Sequence, residues 1–326
     1  MKILVFSLCL LSLAVNAMAE SGYPRLQLDN GYLRVSIYLP DAERGYYRGT
    51  RFDWSGIIGR VDYAGHRFYA PLREQHNPLV HDSIGGPAGE FAMQNPMGFA
   101  EAEPGESFVK IGVGLLAKGD SDAYQFHGDY HLVRAGAWQV EHGPRHIKFS
   151  QDLTGDRGWA YRYRKTIRLQ TGKPVFEIEQ RLENSGEKTI DIEYYNHNFT
   201  LIDDVPYGPD YRVEFPFFTE QPMPISDIAR FSGNAVEVDA ALGDNSLWLP
   251  LFEGADPGQF NSATVRNNLT GASVEFTSGE PITRMVFWAV ERAVCPEPFI
   301  HIRLEPGQSR SWVTRYRFSV DARAAG

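Results

Sequence analysis

The chain has 326 residues, a formal net charge of -9 with its nine histidines neutral, and 13% aromatic side chains. The acidic balance argues against nucleic acid and against anionic membrane surfaces as partners. A chain of this length buries roughly three quarters of its unfolded surface, so a core alone can hold it together, as one large β domain or two ordinary domains.

Residues 1–19 read as a cleavable export signal. Lys2 gives a positive start, an apolar run follows to Val15, and Ala17-Met18-Ala19 supplies a small-x-small cleavage site. The run is too short to span a bilayer, and no later stretch is long and apolar enough to do so. The mature chain, 20–326, is therefore expected to be soluble, free of a membrane anchor, and periplasmic or secreted. Cys295 is then the one remaining cysteine, so no internal disulfide is expected.

The first alternating run is YLRVSIYL (32–39). Residues 40–106 are the least regular part, rich in Gly, Pro, His and Tyr, and long loops of that kind on a β scaffold often carry function. Within them, RFDWSG offers two readings: Trp54 stacks on a sugar face while Arg51 binds a carboxylate, or Arg51 and Asp53 pair on a loop beside a core tryptophan. REQHNPLVHDSIGGPAGEF (73–91) holds His76, His81, Asp82 and Glu90, and its glycines suit a loop whose backbone approaches a ligand closely. After the run FVKIGVGLL (108–116), YQFHGDYH (124–131) adds His127, Asp129 and His131. Neither His-x4-His in a loop nor His-x3-His in a strand is a specific metal signature. Polar contact to a carbohydrate from His81, Glu90, His127 and His131 is the preferred reading, with no metal assigned.

Further strand-like runs cover 137–142, 146–153, 161–170, 175–184, 189–202, 211–217, 235–240, 263–268, 272–278, 284–290, 299–304 and 311–320. Most alternate apolar and polar residues, and turn signals such as QTGKP, ENSGEK and EPGQS separate them. The basic run YRYRKTIRL (161–169) reads as a solvated or salt-bridged face. No amphipathic helix, fixed-period repeat or low-complexity linker interrupts the series, so one all-β domain is expected, a large sandwich or barrel.

Two short stretches carry the chemistry. In DIEYYNHNFTLID (191–203), alternation puts Ile190, Ile192 and Tyr194 on one face and Glu193, Tyr195, His197 and Phe199 on the other. The second face is aromatic and titratable, as a binding wall would be. In CPEPF (295–299), Glu297 stands between two prolines that cannot donate to a strand ladder, which places it at a bulge, an edge or a rim.

NHNF resembles the Asn-His-x-(Tyr/Phe) motif of the aldose 1-epimerase (galactose mutarotase) superfamily, and VCPEPF followed by LEPGQSRSWVTRYRF resembles its late glutamate segment. PMGFAE (96–101) resembles the Pro-His-Gly-Phe-Ala-Arg stretch of related hexose-phosphate epimerase-like proteins, with Met97 and Glu101 replacing the histidine and the arginine. The segment YYRGTRFDWSG (46–56) looks like an exported subgroup within that superfamily. The resemblance implies an antiparallel β-supersandwich, a mono- or oligosaccharide substrate, and no cofactor. It makes Glu297 the general base and His197 the general acid that open and reclose a sugar ring. Two alternatives stand beside it. One is a uronate-processing lyase on a related β-sandwich using Tyr195, His197 and Arg51. The other is a carbohydrate-binding protein without turnover, suggested by Met97.

Overall fold

The strand Ala160–Leu169 shows how the sequence sets the architecture. Tyr161, Tyr163, Ile167 and Leu169 are buried while Arg162 and Arg168 are exposed, so the period-two pattern presses one face onto a core. One basic residue departs from the solvated face expected of this run: Lys165 points inward and pairs with buried Asp53 at 3.3 Å. A computed structural model describes residues 22–254 and 258–321, and the export-signal reading of residues 1–19 lies outside the described residues.

The described residues form antiparallel sheets and no helix. A nine-stranded sheet runs from Ala229–Val238 at one edge to Trp138–Gly143 at the other. A five-stranded sheet has the order Leu247–Glu253, Arg284–Val290, Ala293–Leu304, Ile190–Phe199, Gly86–Phe91. These two sheets share the main core, where Phe91 meets Tyr163 and Tyr194 meets Trp312 with ring centroids 5.1 Å apart in each pair. The fold is thus an all-β sandwich, as the alternation led us to expect. The opposite face of the five-stranded sheet is covered by the irregular segment, whose Tyr47, Phe52, Trp54 and Phe99 build a second apolar cluster with Phe108, Phe199 and Cys295.

Two stretches differ from their sequence reading. GPAGEF is a strand, Gly86–Phe91, with all six positions buried, rather than a glycine-rich loop. Its glycines serve close packing: a Cβ on Gly86 would sit 2.2 Å from the Ile58 carbonyl oxygen, and the residue has φ +69°. CPEPF lies within a central strand rather than at an edge. Glu297 pairs with Val286 on one side in an unbroken register. On the other side, pairing with Ile190–Phe199 stops at Tyr195–Phe299 and resumes as a bridge between Thr200 and Val294. Val294 exchanges both backbone hydrogen bonds with Thr200, so Pro296 and Pro298, of the same parity, direct their missing N–H toward this gap. The Asn198 side chain fills part of it by donating to the Pro296 carbonyl at 2.8 Å.

Candidate active site

Three successive rows across the five-stranded sheet form the floor of a cavity of about 440 Å³, within the usual range for small-molecule sites. Register fixes each row. Tyr195 pairs with Phe299, and the Thr200–Val294 bridge keeps the same offset, so His197 stands opposite Glu297 although they are 100 positions apart. The middle row reads Val286, Glu297, His197, Ala88. On one side lie Trp288, Cys295, Phe199 and Gly86, and on the other Arg284, Phe299, Tyr195 and Glu90. Asn196 and Asn198 turn to the opposite face, accepting hydrogen bonds from the Tyr194 and Tyr316 hydroxyls. The histidine between two asparagines thus faces the cavity, flanked by polar ties to the core.

His197 Nε2 lies 3.0 Å from Glu297 Oε1, and both side chains are almost wholly buried. Phe199 stacks on the imidazole at 3.9 Å, and Phe52 and Trp288 meet it edge-on. This apolar collar disfavours charge on either partner. Burial pushes the Glu297 carboxyl up to about 8, partly offset by Arg51. Burial, helped by Arg51, holds the His197 imidazole well below its ordinary range. Both shifts favour the uncharged forms, a carboxylic acid facing a neutral imidazole. Among the described residues, nothing hydrogen-bonds to Nδ1 of His197, so no neighbour pins its tautomer.

A buried charged cluster adjoins the pair. Arg51 donates through Nε to Glu90 at 2.8 Å and through Nη2 to the Tyr195 hydroxyl at 3.0 Å, and that hydroxyl donates to Glu90 at 2.5 Å. Lys110 Nζ lies 3.6 Å from the other Glu90 oxygen. Burial lowers the Lys110 ammonium to about 8, against the pull of Glu90.

No protein-family model and no curated protein matches the sequence. Solved structures match the fold. The Slr1438 protein from Synechocystis sp. PCC 6803 superposes with a TM-score of 0.55 at 15% identity over 91% of this chain and 96% of its own. A putative aldose 1-epimerase from Escherichia coli K12 gives 0.53 at 15% identity, covering 92% and 100%. A galactose mutarotase related enzyme from Lactobacillus acidophilus gives 0.51 at 14% identity, covering 90% and 97%. This chain has the galactose mutarotase-like fold.

On this mutarotase-like scaffold the cavity wall gathers some of the residues singled out in the sequence and leaves others aside. Arg51, His81, Tyr195, His197 and Glu297 line it. Glu90 stands behind the wall, holding Arg51 and Tyr195. Trp54 is not a stacking platform: it is buried in the second cluster and its indole donates to the Gly49 carbonyl at 2.8 Å. His127 and His131 are exposed and off the wall, which instead takes Phe126 from their segment. Met97 also lies away from the cavity, packed in the main core. Among the described residues no cluster of histidine, cysteine and acidic side chains suits a metal. The wall also includes Phe299 of CPEPF and, marked by no sequence motif, Trp248, Arg284 and Trp288. Alternation in RMVFWAV could have found two of them, since Arg284, Val286 and Trp288 share one strand face and Met285, Phe287 and Ala289 fill the core.

Proposed function

We propose that the protein is a carbohydrate-active enzyme that interconverts sugar anomers, with His197 and Glu297 exchanging protons at the anomeric centre. The observation that carries this reading is the 3.0 Å pair on the floor of an aromatic-walled cavity, where burial favours the uncharged form of each partner. Environment reverses the resting polarity implied by the family motif: the protonated carboxyl of Glu297 is the acid and the imidazole of His197 is the base. Opening moves the Glu297 proton to the ring oxygen while Nε2 takes the proton from the C1 hydroxyl and the bond from C1 to the ring oxygen breaks. The carbonyl turns over. On closing, Glu297 recovers its proton from the ring-oxygen hydroxyl and His197 returns one to the C1 oxygen. The site ends as it began, and these residues need no outside proton.

Tyr195 is poorly suited to be the base of a uronate lyase. Its hydroxyl is committed to Glu90, and burial with Glu90 close by pushes it well above its ordinary range. The case for binding without turnover rested on Met97, which does not reach the cavity. Export through residues 1–19 is part of the proposal, and a mature N-terminus at Glu20 checks it. Polarimetry with a panel of free sugars tests the activity. Accelerated mutarotation of at least one sugar, abolished in His197→Asn, is expected. No acceleration with any sugar, or an unimpaired variant, rejects the assignment.

A further inference from the structure

The proton pair accounts for the middle row of the floor, but the row beside it is built of charge. Arg51 is 93% buried by its 7% exposure, lines the cavity, and spends Nε and Nη2 on Glu90 and Tyr195. Among the described residues its Nη1 makes no hydrogen bond, and its guanidinium is held between the Phe52 and Phe126 rings at 4.5 and 4.4 Å. At the other end of the row, Arg284 lies 3.9 Å over the Phe299 ring, tied to Glu193 through Nη2, with Nε buried and, among the described residues, without a hydrogen-bond partner. A guanidinium fork fixed by aromatic faces suits a carboxylate, sulfate or phosphate oxygen pair.

The charge balance agrees. Asp82 on the wall is matched by Arg73, which donates to both its oxygens, and Arg284 is matched by Glu193. Arg51 and Lys110 share the single carboxylate of Glu90. Burial keeps Glu297 protonated at neutral pH, so it does not balance the remainder. One buried positive charge is left over, in a chain whose net charge is -9. An uncompensated buried charge is costly, and an anion from solution relieves it.

We infer that the substrate is an anionic saccharide, its negative group held by the guanidinium groups along the row between Arg51 and Arg284 while its anomeric carbon lies over His197 and Glu297. This inference deepens the proposed function and rests on it only for the position of the reacting carbon. Arg51, Arg284, His197 and Glu297 line the same cavity, so a single bound saccharide has both the charged row and the proton pair within its wall.

Methyl glycosides separate binding from turnover, because they lack the free anomeric hydroxyl that ring opening needs. Calorimetry should compare methyl glucuronide, methyl galacturonide and the 6-sulfate and 6-phosphate esters of the methyl hexosides with the neutral methyl hexosides. At least one charged glycoside is expected to bind about ten- to a hundredfold tighter than its neutral parent, the value of one or two charge-assisted hydrogen bonds. The arm that shows the gain identifies a carboxylate or an ester oxyanion. Arg284→Gln is expected to reduce the gain, and because Glu193 is partly exposed this variant does not strand a buried charge. Equal affinity for charged and neutral glycosides, or binding of neither, overturns the inference. Selective binding without anomer exchange of the matching free acidic sugar would sink the mutarotase assignment and leave the anionic site standing.

Discussion

His197 and Glu297 face a conflict that burial resolves. A carboxylate of ordinary pKa is a weak base and an ordinary imidazole is half-charged near neutrality, so neither is a strong proton partner on its own. Packed against Phe199, Phe52 and Trp288, each is driven to its neutral form, and the proton sits where it can be given away. Glu297→Gln keeps the shape and removes the acid, so kcat for anomer exchange is expected to fall about 10²- to 10⁴-fold. The same substitution should stabilise the fold at neutral pH. The folded carboxyl is raised from 4.5 to about 8. Its contribution to stability is therefore fully present below about 4.5 and is lost as pH rises through about 8. Gln does not titrate. Thermal melts are expected to show Glu297→Gln gaining on the wild type between pH 5 and 8, by on the order of a few kcal/mol. A constant difference across that range would deny the buried, raised carboxyl.

At the scale of the strand, the site depends on an interrupted ladder. Pro296 and Pro298 cannot donate, so the pairing opens beside Glu297, and Asn198 links the Pro296 carbonyl to the Tyr316 hydroxyl. Asn198→Ala leaves those buried partners unsatisfied. A loss of about 1–3 kcal/mol in urea unfolding is expected, with a larger loss of activity because the register of the proton pair loosens. Gly86→Ala, against the Ile58 carbonyl and at positive φ, is expected to cost about 2 kcal/mol or more by the same measurement. These strands also show what was legible beforehand. Tyr195, His197 and Phe199 alternate cleanly with core residues, so their shared face could be read directly. Gly86–Phe91 could not, because a strand buried on both faces has no alternation and its glycines imitate a loop. The two prolines imply a bulge, an edge or a rim; the strand is central, so the edge fails, but the ladder does break beside them, and a side chain replaces it.

For the whole molecule, strand rhythm and turn signals were enough to give an all-β sandwich, since two large antiparallel sheets sharing one core leave a periodic imprint on nearly every strand. The cavity was only partly legible. Its wall joins the sheet to a segment without periodicity, and Arg51 meets Glu90 and Tyr195 through contacts that no local pattern encodes. The core also encloses Cys295, which is fully buried and whose thiol burial pushes well above its ordinary range. The native protein is expected to resist thiol reagents until unfolded, and its melting temperature to be the same with and without reductant. Rapid labelling of the folded chain would mean that the second cluster opens in solution. The most direct test of the shared-proton pair is the pH dependence of kcat/KM for anomer exchange, followed by NMR with the sugar that polarimetry selects. The expected profile is bell-shaped, falling above about pH 8 as Glu297 loses its proton and falling on the acid side as His197 gains one. A rate that stays flat through pH 8, or that persists in Glu297→Gln, would contradict it.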